Sequence, residues 1–469
     1  MKNLSISSVA AAVGGVYHGD KSVADTEISM VTTDSRKIEK NGLFIAIKGE
    51  RSDGHDYIGQ CLDNGAAAVI SEREISGESR PVIVVESTLA ALRDLAAFYR
   101  SQLDIKVVGI TGSVGKTSTK ETVASVLATR YRVLKTAGNF NNEIGLPLTV
   151  FRLTEDDEVA VLEMGISDFG EMSRLTAIAK PDIAVITNIG QCHLENLGTR
   201  DGILKAKTEI FKGMGADGVA VLNADDDKLI TVSEVCGKPP VHFGIENKSG
   251  IYAKNIQSRG LLGTDACLCN VACADGVSEF SVHISVPGSH MVYNALAAAA
   301  VGALLGLTSG EIAKGIASMN TISGRNNIIK TENLLILDDC YNANPVSMKS
   351  SIDVIALAEG RKICILGDMF ELGRDEEKLH YEVGKYMAGK NVDVLLTAGK
   401  LAKNIAAGAK DTDAVGEIHS FEMRDELIDA LPQLLKKGDN ILVKASHGME
   451  FTEVVKTLEN IKNDGGLMI

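Results

Sequence analysis

No apolar run in the 469 residues approaches the roughly 20 that a membrane-spanning helix needs, so no membrane insertion is expected. The opening segment MKNLSISSVAAAVGGVYHGD holds one lysine and a broken apolar stretch. It reads as a short amphipathic helix and turn, not as a secretory leader. Basic charge is not in excess: 48 Lys and Arg stand against 62 Asp and Glu, for a net charge of -14. That argues against a nucleic-acid partner, which needs a basic face. It leaves anionic small molecules open, because a few cations in a cleft act against an acidic background. A C-x-x-C pair is also missing. The eight cysteines are scattered except for CLCNVAC, with Cys267, Cys269 and Cys273. That alternation suits a strand better than a zinc site, and free thiols make the cytoplasm the expected compartment.

The texture of the chain suggests an α/β protein of three domains without low-complexity linkers. Residues 1–100 hold short strands and turns, a helix in YIGQCLDNGAAAV, a strand in PVIVVE and the periodic helix LAALRDLAAFYRSQL that closes the unit. Residues 101–322 change character. KVVGITG, YRVLKTAGN, EVAVLEMG, DIAVITNIG and GVAVLNADDD are apolar strands ending in turns and alternating with helices, the pattern of a parallel sheet covered on both faces. An antiparallel stretch over 253–287 and two helices follow. Residues 323–469 repeat the alternation in NLLILDD, KICILGD, DVLLTAG and DNILVKASHG, a second doubly wound, Rossmann-like sheet.

The first turn of the central sheet, GITGSVGKT, lies between a buried strand and a good helix. It lacks the glycine that the usual phosphate-loop spelling puts at Ile110. Its context still suits an anion, because free N–H groups and the helix dipole meet there. The segment Thr111, Gly112, Ser113, Val114, Gly115, Lys116, Thr117 and Ser118 is therefore the expected nucleotide loop. Lys116 would face the β- and γ-phosphates and Thr117 a Mg²⁺ ion. The alternative is a plain strand–helix turn with a chance Gly-Lys-Thr. No N-K-x-D base-reading motif follows, since Asn247-Lys248-Ser249-Gly250 lacks the aspartate. A Walker B aspartate is missing too, and the strand VAVLEMG ends in Glu163 instead. The loop thus indicates a nucleotide without indicating a reaction.

DGILKAKTEIF adds a second oddity. On a helix, Lys205 has Asp201, Thr208 and Glu209 as neighbours, whereas Lys207 has Ile203, Leu204, Ile210 and Phe211. Lys207 either snorkels to water or is buried with a depressed pKa. A neutral buried amine can take up CO₂ as a carbamate, an anionic oxygen ligand. His193, after the strand DIAVITNIG, is either a metal ligand or a core histidine. Glu163, His193 and Lys207 could share one cleft at the C-terminal ends of the strands.

At these residues the chain resembles the Mur ligase family of ATP-dependent amide-forming enzymes. The TGxxGK[TS] loop, the glutamate of EMG, the histidine of QCHLENLG and the lysine of KAKTEIF all stand at family positions. Three further stretches, TAGNFNNEIGLPLT, DDCYNANPVSM and LGDMFELG, resemble the branch that adds D-alanyl-D-alanine. The resemblance implies ATP, two Mg²⁺ ions, a carbamate on Lys207, and a monomer acting on a UDP-muramoyl-tripeptide and D-alanyl-D-alanine. It implies that Lys116, Glu163, His193 and Lys207 are catalytic, with Thr117, Glu163, His193 and Lys207 holding metal. His290 and Asn294 would meet adenine, Arg325 the phosphates, and Asp339 the ribose or Arg325. Asn139, Asn141 and Asn142 would line the muramoyl-tripeptide site, and Tyr341, Asn342 and Asn344 the dipeptide site. Ser35, Arg36 and Lys48 would take the UDP end, with Asp53 and His55 nearby. His447 stands where the family usually has arginine. ELGRDEEKLH reads as a solvated loop and helix start. Three domains also imply closure over the site, and hence an open arrangement without ligands. Two other readings share the loop: a folylpolyglutamate synthase and a nucleotide-operated switch.

Overall fold

The computed structural model describes residues 1, 3–49, 52–75 and 79–461. It contains three sheets, each with its own helices, in the α/β class expected. The first sheet has the order Val16–His18, Val82–Val84, Ala68–Ser71, Leu43–Ile45, Val31–Thr32, and only its first pair is antiparallel. The helix Thr88–Ser101 starts at Ser87, whose hydroxyl accepts from the Ala90 N–H and so satisfies an orphan donor. Its Leu92, Leu95 and Tyr99 belong to a core that also contains Leu4, Ile45, Leu146 and Leu162. The helix therefore does more than close the first unit. It joins that unit to the central domain, and the Tyr99 hydroxyl donates to the Leu153 carbonyl at 2.7 Å.

The central sheet has nine strands. Val133–Lys135, Val159–Glu163, Lys106–Thr111, Ile183–Ile186, Val219–Asn223, Val241–Gly244 and Ile251–Ser258 run parallel in that spatial order. Thr264–Cys269 and Glu279–Ile284 complete it as an antiparallel edge. The strands beside the loop are buried almost throughout, which explains their unbroken apolar runs. Lys106–Thr111 lies between Val159–Glu163 and Ile183–Ile186, so the chain turns first to one side of it and then to the other. That reversal opens a crevice at its C-terminal end, where ligands bind in such sheets.

The third sheet has the order Asn327–Lys330, Leu335–Asp338, Asn440–Lys444, Lys362–Gly367, Val392–Ala398, Val415–Phe421 and is parallel after its antiparallel first pair. The C-terminal domain is docked on the central one, which differs from the open arrangement expected. His193 Nδ1 lies 2.7 Å from Glu371 Oε2. Asn326 Nδ2 donates to the Pro287 carbonyl at 2.9 Å. Both contacts lie between the two domains. No helix among the described residues is long and apolar enough to cross a membrane.

Candidate active site

The loop begins where the strand Lys106–Thr111 ends and finishes at Gly115, the N-cap of the helix Lys116–Leu127. Gly112 and Gly115 have φ of +150° and +83°, which side chains disfavour. The next strand's exit braces the loop. Val114 N–H donates to Asn188 Oδ1 at 2.9 Å, and Thr187 Oγ1 donates to the Val114 carbonyl at 2.6 Å. A Cβ on Gly112 would collide with Thr187 Oγ1. Gly112→Ala is therefore expected to weaken ADP binding at least about tenfold, or ~1.4 kcal/mol, and to lower the melting temperature. Calorimetric titration with ADP and a thermal scan check both.

Lys116 folds back so that Nζ donates to the Gly112 carbonyl at 2.8 Å. Burial pushes its ammonium below the ordinary lysine range, against the pull of Cys192 and Glu163, and nearby Arg325 adds to the drop. Thr117 Oγ1 donates to Glu163 Oε1 at 3.1 Å, and Asn141 Nδ2 donates to the same oxygen at 2.9 Å. The other oxygen, Oε2, is buried without a hydrogen-bond partner among the described residues. A buried carboxylate oxygen with spare capacity, next to a threonine hydroxyl, suits a hard divalent cation.

Lys207 is 1% exposed and Lys205 is exposed, so the snorkelling alternative fails. Among the described residues the Lys207 amine has no hydrogen-bond or ion-pair partner. Burial, reinforced by the charge of Lys116 and opposed by Cys192, pulls it down to about 8. Glu163 and His193 line one cavity of about 850 Å³, whereas Thr117 and Lys207 are buried and do not line it.

The same cavity takes Arg325, Asp339, Tyr341, Asn342 and Asn344 from the C-terminal domain and His290 and Asn294 from the central one. The Arg325 guanidinium stacks 3.9 Å from the Tyr341 ring centroid, and its buried Nε has no partner among the described residues. Asp339 is already engaged. Its Oδ1 accepts from the Asn326 N–H at 2.9 Å, and its Oδ2 from Ser351 and Lys444, each at 2.5 Å. It fixes the backbone beside Arg325, with Oδ1 keeping room for a further donor. Asn344 caps the helix Pro345–Ala356, its Oδ1 accepting from the Ser347 N–H at 2.9 Å. Its NH2 group stays unbonded among the described residues, and the more exposed Asn342 likewise accepts a backbone bond, from the Ala343 N–H at 2.9 Å. Asn294 is buried with Oδ1 accepting from Thr119 Oγ1 at 2.8 Å, which ties it to the loop helix. Burial lowers the pKa of His290, and Asp339 opposes that shift. His447 does not line the cavity. Its ring lies 5.5 Å from that of Tyr341.

Several other expected contacts are not gathered here. Asn139 is exposed and off the cavity wall. Asn142 is on the wall but accepts from the Gly145 N–H at 2.8 Å, holding a helix start. None of Ser35, Arg36, Lys48, Asp53 and His55 lines the cavity. Arg36 is paired in a two-bond fork with Asp34, which holds that carboxyl at about 2. His55 is internal to its domain: Nδ1 meets Asp53 at 2.6 Å and Nε2 accepts from the Glu72 N–H at 3.1 Å. With both nitrogens used, His55 supports the fold of its domain. Cys267, Cys269 and Glu279 do come within 4.8 Å of one another, but Lys254 already neutralises Glu279 at 2.8 Å.

Sequence reasoning missed Lys120, Lys444, Asp225 and Glu371. Lys120 follows the loop on its helix, buried between Glu121 Oε1 at 3.0 Å and Glu163 Oε2 at 3.8 Å. Asp225 lines the cavity after a strand and accepts from Tyr293 at 2.9 Å. The polar run closing GVAVLNADDD was the signal that could have found it. Glu371 lies in ELGRDEEKLH, so that stretch is not simply solvated, although its helix does start at Glu376.

A phosphate loop at the switch point of a parallel sheet, facing a second doubly wound domain across a cavity that holds Lys116, Arg325 and Lys444 among several carboxylates, defines a nucleotide-dependent ligase. The chain belongs to the Mur ligase family. Residues 27–100 match the Mur ligase family catalytic domain, 110–302 the Mur ligase middle domain, and 324–447 the Mur ligase glutamate ligase domain. It is 40% identical to the UDP-N-acetylmuramoyl-tripeptide–D-alanyl-D-alanine ligase of Bacillus subtilis, over 97% of this chain and 98% of that one. Among solved structures it is similar to MurF from Acinetobacter baumannii, with TM-score 0.88, 31% identity and 98% and 99% of the two chains covered. MurF ligase from Thermotoga maritima in complex with ADP matches with TM-score 0.80 and 32% identity, over 92% of this chain and 97% of that one. The chain is an enzyme of the MurF type.

Proposed function

We propose that this chain joins D-alanyl-D-alanine to a UDP-N-acetylmuramoyl-tripeptide at the expense of ATP. The products are the UDP-N-acetylmuramoyl-pentapeptide, ADP and phosphate, as peptidoglycan precursor synthesis in the cytoplasm requires. The observation that carries this reading is the single cavity in which Lys116 and Arg325 face the end of the phosphate loop while Asn342 and Tyr341 form part of its wall. The tripeptide carboxylate attacks the γ-phosphorus, the β–γ bridge bond breaks, and ADP leaves. The dipeptide amine then attacks the acyl phosphate carbon, loses a proton and expels phosphate. Both partners of the first step are anions, so Lys116 and Arg325 have the electrostatic task of offsetting their repulsion.

Two Mg²⁺ ions, when bound, would neutralise charge on the transferring phosphoryl group. Thr117 and Glu163 are the proposed ligands for one, and His193 with a carbamate on Lys207 for the other. The unpartnered amine of Lys207, held down to about 8, supports that modification, because only the neutral amine reacts with CO₂. Asn342 and Tyr341 would orient the dipeptide, and Asn141 the tripeptide end near Glu163. His290 and Asn294 would stand by the adenine. Ser35, Arg36 and Lys48 would take the UDP end. Residues 1–100, 101–322 and 323–469 are assigned as the UDP-muramoyl-peptide, ATP and dipeptide domains of a monomer without a nucleic-acid partner. With UDP-N-acetylmuramoyl-tripeptide and ATP, ADP release is expected to depend on D-alanyl-D-alanine and to match pentapeptide formed. Turnover that ignores the dipeptide, or that accepts glutamate in its place, would refute the assignment.

A further inference from the structure

The segment LGDMFELG is one of the stretches on which the resemblance rests, and the catalytic reading leaves it without a task. In the structure it is an arm of the C-terminal domain that reaches the central domain. Its base is tied down twice: the Met369 N–H donates to His380 Nε2 at 2.8 Å, and the Phe370 N–H to Ser446 Oγ at 2.9 Å. His380 is fully buried, with Nδ1 on the Glu376 carbonyl at 2.7 Å. Met369 and Leu372 anchor the arm in the C-terminal core. At its tip Glu371 extends to the central domain, where Oε2 meets His193 Nδ1 at 2.7 Å.

Both partners have unusual backbones. Glu371 has φ of +61° and His193 of +51°, the left-handed region that non-glycine residues seldom occupy. Such strain persists where surrounding structure holds it, and it clusters at functional sites. Here it brings a carboxylate and an imidazole from two domains together at the wall of the active cavity. His193 Nδ1 and Glu371 Oε2 lie 2.7 Å apart; a proton held on Nδ1 by that carboxylate leaves Nε2 as the lone-pair nitrogen, the form a metal-ligating histidine takes.

We infer that Glu371 is a positioning residue that orients His193 for the second divalent cation, so that docking of the C-terminal domain completes that metal site. The inference rests on the two-ion reading proposed above. It also gives the docked arrangement a chemical consequence. A chain with the arm withdrawn would keep the Thr117–Glu163 site and lose the orientation of His193.

Mn²⁺ titration of the full chain with ADP bound, followed by the electron paramagnetic resonance signal of free Mn²⁺, tests this without catalysis. The wild type is expected to show two classes of site. Glu371→Ala should weaken one class at least about tenfold and spare the other, and Glu371→Gln should fall between. In a His193→Ala background, Glu371→Ala should have no further effect. Two classes of site with Glu371→Ala indistinguishable from wild type would overturn the role of Glu371 alone. So would a Glu371→Ala effect that persists without His193. A single class in the wild type would overturn the two-ion reading and this inference with it. Unaltered melting curves for the Glu371 variants are expected, and a large drop would assign the pair to interface stability instead.

Discussion

Lys207→Ala should lower ligase turnover by about 10²–10³-fold, the usual cost of removing one charged stabiliser from a phosphoryl-transfer site. The amine is buried, lacks a partner among the described residues, and sits near the Lys116 charge that burial already strains. An ammonium there would add a second unpaired cation, whereas a carbamate would supply the missing anion. Short carboxylic acids such as acetate should restore part of the activity of Lys207→Ala by occupying the space of the carbamate. Lys205→Ala, on the exposed face, should stay within about twofold, because surface substitutions rarely matter. Carbon-13-labelled bicarbonate should give the wild type a carbamate resonance that Lys207→Ala lacks. At fixed dissolved CO₂ that resonance should grow as pH rises through about 8, where the amine becomes neutral. Full activity in Lys207→Ala would remove the carbamate from the mechanism.

Lys120→Met should cost about 3–5 kcal/mol of stability, the range for breaking a buried ion pair from one side. Lys120 is fully buried. Its Nζ donates to the Thr136 carbonyl at 2.8 Å and stands 3.0 Å from Glu121 and 3.8 Å from Glu163. The lysine-to-methionine change keeps the stem and leaves two carboxylates without their shared cation. Glu121 retains Lys135, so most of the penalty falls on Glu163, whose side chain is 1% exposed. Adding Glu163→Gln should recover at least about 1 kcal/mol, since the second change removes the charge that the first left unpaired. Urea unfolding of the four chains of this cycle measures the coupling. Strictly additive losses would show that Lys120 and Glu163 do not interact.

The two lysines show how far a single sequence carries. Helical spacing alone set Lys207 among Ile203, Leu204, Ile210 and Phe211, and the structure buries it there. Spacing did not single out Lys120, because TSTKETVASVL is polar enough to pass for a surface helix. The faces of that helix are covered by strands and by the helix His290–Leu304, from distant parts of the chain. Asn344 and His55 have structural partners that sequence did not show. Both stand in turns where a ligand contact was expected; one caps a helix while lining the cavity, and the other bonds Asp53 and the Glu72 N–H. A polar side chain in a turn looks the same in sequence whether its partner is a ligand or the neighbouring backbone.

What could be read along the chain was whatever adjacent residues determine: strand–turn–helix alternation, the glycine-rich loop, the apolar face around Lys207 and the motifs of the family. These depend on local backbone preference and periodic burial, which leave a linear trace. The spatial order of the strands, the docking of the C-terminal domain, the His193–Glu371 contact and the locking of Asp339 by Lys444 and Ser351 leave none. Each joins residues brought together by packing. Their distances and free lone pairs follow from how three sheets stack, which no stretch of the chain encodes by itself.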